Sequence, residues 1–153
     1  MKLKILITDD NEGDILLFEE SLEIVQDYLL TKDLNIEFSL DKALNGETAL
    51  QLLEQNSYDL LFTDIKMNKI SGLDVLKSFR ERNMKGRFII FTTSDYEKDI
   101  VESYHLNADG YLLKSLDISE FEENLKNIIF IFMQDSFAFI NTIHDRFKNI
   151  IKK

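Results

Sequence analysis

Five residues stand directly behind short apolar runs and carry groups that could act together. LKILIT is followed by Asp9 and Asp10, LLFT by Asp64, FIIF by Thr92 and GYLL by Lys114. Any one of these aspartates alone could be a turn former or a helix cap. Three carboxylates, a hydroxyl and an ammonium in the same relative place are harder to read that way. Carboxylates gathered within a few ångströms repel one another unless a cation or a proton intervenes. A hard divalent ion such as Mg²⁺, or Mn²⁺ in its place, takes oxygen ligands, and Mg²⁺ keeps several of its waters. Zinc is a poor fit, because the chain has no cysteine and its two histidines, His105 and His144, stand elsewhere. A divalent cation beside a carboxylate, a lysine and a hydroxyl makes a phosphoryl site. A carboxylate in line can then act as nucleophile and form an acyl phosphate. Asp64, single and central, is the candidate nucleophile, with Asp9 and Asp10 as metal holders.

These residues can meet only if the elements before them end at one edge. Strand candidates are Leu3–Thr8, Ile36–Leu40, Leu60–Thr63, Phe88–Thr92 and Gly110–Leu113. Helical stretches alternate with them: Asp14–Leu30, where Leu17, Glu20 or Ser21, Ile24 and Tyr28 are spaced by threes and fours, then Glu47–Gln55, Leu73–Arg82 and Lys98–Leu106. Strands alternating with helices predict an α/β fold with a parallel sheet covered on both faces. At this length the five-stranded doubly wound order 2-1-3-4-5 is expected, with its ligand crevice where the first and third strands lie side by side.

With 153 residues the chain suffices for one domain, and its net charge of −10 argues against binding a nucleic-acid backbone. The longest unbroken apolar run, Ile128–Met133, is too short to span a bilayer, so no membrane insertion and a cytoplasmic location are expected. From about Ser119 a helical pattern runs nearly to the end, with Phe121, Leu125, Ile128, Phe132, Phe139, Ile143, Phe147 and Ile150 in one stripe. Residues 1–133 therefore read as the domain and 134–153 as a C-terminal helical extension with no separate output domain. The apolar face of the extension needs a partner, either a second copy in a homodimer or the domain's own surface.

The ordered set LITDD, LLFTDIKM, IIFTTS and DGYLLK resembles the receiver domain of two-component response regulators, a CheY-like, flavodoxin-like fold. The resemblance covers Leu3 to about Met133. DDNEGD, FTTSDYEKDI and YLLKS look most like the small stand-alone receivers that partner phytochrome-type and other sensor histidine kinases. It implies a switch rather than an enzyme. Asp64 would accept a phosphoryl group from a kinase phosphohistidine. Asp10 and Asp64, with the backbone carbonyl of Lys66, would hold Mg²⁺, assisted by Asp9. Lys114 would pair with phosphoryl oxygens, Thr92 would turn towards them, and the Tyr111 ring would move inward behind it. That would couple the site to the face made by the fourth helix, fifth strand and fifth helix, a second candidate for the dimer contact. The output would be a protein contact or passage of the phosphoryl group to a downstream phosphotransfer protein. Thr93 and Ser94 read as helix caps. Two positions depart from the family's habit of proline: Ser115 after the lysine, and Asn68 in the loop after Asp64.

Other functions remain open at this level. A Mg²⁺ phosphohydrolase of the haloacid-dehalogenase type needs a second aspartate two residues after the nucleophile, where this chain has Lys66. A flavin or nucleotide binder needs a phosphate-cradling loop after the first strand, where TDDNEGD would repel an anion. A phosphorylation-independent dimeric scaffold, driven by the C-terminal helix, is the remaining alternative.

Overall fold

The computed structural model describes residues 1–114 and 117–134 and the backbone of Ile140 and Asn141. Strand β1 (Lys2–Thr8) leads into helix α1 (Glu12–Thr31), and β2 (Glu37–Ala43) into α2 (Gly46–Gln55). Then β3 (Leu60–Thr63) leads into α3 (Gly72–Glu81), β4 (Arg87–Thr92) into α4 (Glu97–His105), and β5 (Gly110–Leu113) into α5 (Ile118–Met133). The five strands run parallel in the expected order 2-1-3-4-5. This is the CheY-like, flavodoxin-like fold.

Alternate residues of each central strand enter different cores, which is why these strands read as unbroken apolar runs. Ile5, Ile7, Leu60, Phe62, Ile89, Phe91 and Leu112 pack with Phe18 and Val25 of α1 and Phe121 and Leu125 of α5. Leu6, Leu61, Phe88, Ile90 and Tyr111 pack with α2, α3 and α4 through Leu53, Leu76, Phe79 and Ile100. Phe18 anchors α1, its ring centroid 4.9 Å from Phe62 and 5.8 Å from Phe121.

Three differences from the sequence reading have physical reasons. Helix α1 buries Ile15, Phe18, Ser21, Leu22, Val25 and Leu29, whereas Leu17 and Ile24 from the expected stripe are about half exposed. Its apolar residues lie all round, so spacing alone did not single out the buried face. Strand β2 continues to Ala43 rather than Leu40, in register with β1 to the pair Thr8–Ala43. It is a half-exposed edge strand, so Asp41 and Lys42 carry no apolar signal.

The third difference concerns the C-terminus. Helix α5 stops at Met133, capped by Gln134. Ile140 and Asn141, expected inside a helical extension, instead form a two-residue strand β6 parallel to β5, with Gly110 paired to Ile140 and Tyr111 to Asn141. The edge of β5 offers backbone donors and acceptors that a strand can take up, and side-chain periodicity does not report that opportunity. Phe139, Ile143, Phe147 and Ile150, with the rest of the expected extension, lie outside the described residues. Among the described residues, no helix is long and apolar enough to cross a membrane.

Candidate functional site

The parallel order brings the strand ends to one edge. Thr8 and Thr63 are paired neighbours, so Asp9 and Asp64 emerge side by side. Sheet-like hydrogen bonds continue past the strands: the Asp9 N–H donates to the Ala43 carbonyl (3.0 Å), that of Asp64 to Thr8 (3.0 Å), and that of Lys114 to Thr92 (2.7 Å). The backbones under three of the expected site residues are therefore held by the sheet rather than by loops alone.

The Lys114 ammonium draws the carboxylates together. Its Nζ donates to Oδ2 of Asp9 at 2.6 Å, of Asp14 at 2.8 Å and of Asp64 at 2.9 Å. Three acceptors match the three protons of an ammonium. The other oxygens of the two inner carboxylates accept backbone N–H groups, Asp9 Oδ1 from Asn11 (2.9 Å) and Asp64 Oδ1 from Ile65 (2.7 Å). Asp9 is only 1% exposed. Burial pushes its carboxyl above the usual carboxylate range and the Asp64 charge adds to that, while Lys114 and the Asn11 N–H pull it back. Burial would lower the Lys114 pKa, but the hydrogen-bonded carboxylates of Asp14, Asp9 and Asp64 outweigh it and hold the ammonium above the ordinary lysine value.

Asp9, Asp10 and Asp64 each offer a carboxylate oxygen, and these atoms lie within 4.8 Å of one another. Asp10 is exposed and lines an open cleft with Asn45, Glu47, Asn68 and Lys69. An all-oxygen donor set at a solvent rim suits a hard divalent cation that keeps waters. Lys66, also exposed, sits on the loop after Asp64 with its Nζ 5.2 Å from the centroid of the Tyr96 ring. Below that loop α3 begins at very close range. The Gly72 N–H donates to the Ile65 carbonyl at 2.9 Å, and a Cβ on Gly72 would lie 1.9 Å from the Asp64 carbonyl oxygen.

Thr92 and Tyr111 are both buried, and Ser94 joins them. The Ser94 N–H donates to Thr92 Oγ1 at 3.3 Å, and the Tyr111 hydroxyl donates to the Ser94 carbonyl at 2.7 Å. Tyr111 lies in the core packed against α2, α3 and α4. Burial pushes its phenol pKa well up; the Ser94 contact opposes this, and the negative charges of Asp99, Asp95 and Asp64 add to it. The expected capping by Ser94 takes another form: its hydroxyl donates to the Asp99 carboxylate at 2.5 Å, while Tyr96, the residue at the cap position of α4, makes no side-chain capping bond. Thr93 is exposed. Ser115 lies outside the described residues.

The structure thus gathers Asp9, Asp10, Asp64 and Lys114, sets Thr92 on the next strand end, and leaves Lys66 at the rim and Tyr111 behind. The sequence reading had not placed Asp14 at the site, nor Ser94 as the link, nor Gly72 as the close contact. Asp14 had one legible signal: it stands three residues after Asn11, in the first turn of the helix that follows the acidic pair.

The chain matches the family model described as the response regulator receiver domain over residues 5–126. It is 33% identical over 127 residues to a nitrate/nitrite response regulator protein homolog of Haemophilus influenzae, covering 83% of this chain and 57% of that protein. It is 38% identical over 76 residues to the nitrate/nitrite response regulator NarL of Escherichia coli, covering 50% of this chain and 35% of NarL. The chain therefore spans about a third to just over half the length of these relatives. Among solved structures it is similar to the response regulator TrrA of Thermotoga maritima in complex with Mg²⁺-BeF, at 30% identity and TM-score 0.59, covering 84% of this chain and 99% of that one. It also resembles the fold of the phosphorylated cyanobacterial phytochrome response regulator RcpA, at 24% identity and TM-score 0.70, covering 88% and 96% of the two chains.

Proposed function

The chain belongs to the response regulator receiver domain family, and from that premise we propose that it is the receiver of a response regulator, in which Asp64 accepts a phosphoryl group from a sensor histidine kinase. The observation that carries this reading is the pair of adjacent carboxylates at the strand ends, Asp9 and Asp64, bridged by Lys114. A carboxylate oxygen of Asp64 attacks the phosphorus of a phosphohistidine. The O–P bond forms, the P–N bond breaks, and the imidazole nitrogen leaves with the electron pair and takes a proton from water. A small acyl phosphate serves in the same way, its carboxylate being the leaving group.

Asp9, Asp10, Asp64 and the Lys66 backbone carbonyl are the residues assigned to Mg²⁺ or Mn²⁺, which when bound neutralises charge on the transferred group. The oxygen donor set supports that assignment, as does the TrrA complex with Mg²⁺-BeF. Lys114 would neutralise phosphoryl oxygens beside it. The Thr92 hydroxyl exchanges its contact with Ser94 for one with the phosphoryl group, and Tyr111 follows through Ser94. The readout is a population shift of the α4–β5–α5 face, offered to a downstream target, a phosphotransfer protein or a second copy of the chain. A kinase charged with ATP would place the exchange in the cytoplasm. The role is a switch, not turnover of a substrate.

The test is labelling by a radioactive small acyl phosphate. A Mg²⁺-dependent label, stable in acid and labile in base, is expected on the wild type and absent from Asp64→Asn. A wild type that takes no label overturns the proposal.

A further inference from the structure

Asp14 has no part in the reading above, yet it accepts one of the three hydrogen bonds from the Lys114 ammonium. Its freedom to do so has a local cause. Asn11 caps α1 by accepting from the Asp14 N–H at 3.1 Å, which makes Asp14 the third residue of the helix. An acidic side chain at that position ordinarily turns back to the N–H of the capping residue. Helix α3 does this, with the Asp74 carboxylate accepting from the Ser71 N–H. In α1 the Asn11 N–H is already taken by Asp9 Oδ1. The Asp14 carboxylate is released from the cap and reaches Lys114 instead.

Its place outside the cation cluster matters. Asp9 and Asp64 belong to the group whose oxygens lie within 4.8 Å of one another, and Asp14 does not. A divalent cation on that group draws charge from two of the three acceptors of Lys114. Conversion of Asp64 to the acyl phosphate removes its carboxylate charge from the same pair. Asp14 alone is unchanged through both events. It is also the one carboxylate among the described residues that line the narrow cleft between α1 and α5 next to Lys114, whose walls include Phe18, Phe91 and Phe121.

We propose that Asp14 is a positioning residue for phosphoryl transfer: from the first turn of α1 it anchors the Lys114 ammonium at the site while Asp9 and Asp64 are engaged by cation and phosphoryl group. This rests on the reading of Asp64 as the acceptor. Asp14 is about one-third exposed, so its hydrogen bond is worth less than a fully buried charged one. Asp14→Asn is expected to slow labelling by a small acyl phosphate at saturating Mg²⁺ about fivefold, equivalent to about 1 kcal/mol in the barrier. Asp14→Glu recovers part of that loss. In a Lys114→Ala background Asp14→Asn has no further effect, since the two residues act as a unit.

A second readout needs no metal. In the metal-free wild type the Lys114 ammonium gives a slowly exchanging ¹⁵N signal, and Asp14→Asn speeds its exchange with water. Labelling of Asp14→Asn at the wild-type rate or faster, or an undiminished effect without Lys114, overturns the inference and leaves Asp14 as an ordinary charge at a helix N-terminus. A wild type that takes no label instead overturns the reading of Asp64, and the inference with it.

Discussion

Replacing Lys114 with methionine keeps the length of the side chain and removes the charge that separates Asp9 from Asp64. Lys114 is 11% exposed, Asp64 11% and Asp9 1%. Removing one partner of a buried ion pair costs about 3–5 kcal/mol, because the remaining charge is stranded. The site lies at a sheet edge and Asp14 can turn to water, so the expected loss near neutral pH is smaller, about 2–3 kcal/mol. The pH dependence fixes the cause. Asp9 already has a carboxyl pKa above its unfolded value of 3.8, chiefly through burial, and Lys114 restrains it together with the Asn11 N–H. Without the ammonium it rises further. A carboxyl whose folded pKa lies above the unfolded one destabilises the fold while ionised, and that penalty shrinks as the pH falls through the folded value towards the unfolded one. The penalty in Lys114→Met is therefore largest near neutrality and shrinks on acidification. Mg²⁺ should also stabilise the variant more than the wild type, since the cation supplies the missing countercharge as well as binding free energy. Urea unfolding midpoints of both proteins, at neutral and mildly acidic pH, with and without Mg²⁺, measure all three effects. A loss that does not change with pH, or one below about 0.5 kcal/mol, would refute the account of Lys114 as the countercharge.

Gly72→Ala places a Cβ 1.9 Å from the Asp64 carbonyl oxygen; backbone must shift, and we expect a loss of about 2–4 kcal/mol in thermal unfolding together with weakened labelling. A neutral substitution would contradict the close packing of α3 on the acceptor loop. Stability should also fall steeply at alkaline pH. Tyr111 and Lys114 both keep their protons in the fold above their unfolded values of 10.0 and 10.5, so unfolding releases protons and stability is lost as the pH rises through that range. Tyr111→Phe should flatten part of this slope and cost about 1–2 kcal/mol at neutral pH, because the buried Ser94 carbonyl loses its donor. An unaltered alkaline slope would remove Tyr111 from that explanation.

The strands were legible because both faces of each central strand are buried, and Leu60–Thr63 shows the limit of that signal as an unbroken buried run. Asp9, Asp10, Asp64, Thr92 and Lys114 were legible because the order of elements, not their packing, puts strand ends at one edge. Contacts made across the sheet were not. The position of Asp14 in the first turn after the acidic pair is legible, but its bond to Lys114 is not until the Asn11 N–H is seen bonded to Asp9. Nothing in Ser94 marks it as the link from Thr92 to Tyr111. Both roles depend on groups distant in the chain, since Asp14 meets Lys114 across 100 residues and Tyr111 meets Ser94 across 17.

The C-terminal end makes the same point in reverse. The stripe that starts at Phe121 favours a helix locally, and α5 follows it as far as Met133. Ile140 and Asn141 lie instead on the edge of β5, because an open strand edge offers hydrogen bonds that no side-chain pattern announces. The order of residues by itself determined the doubly wound sheet and which side chains gather at its edge, through hydrophobic period and the residues at strand ends. Only the tertiary structure decided which carboxylates share the ammonium, which face of α1 is buried and where the C-terminal strand pairs. Those outcomes turn on competition for particular donors and acceptors, and that competition exists only once distant segments meet.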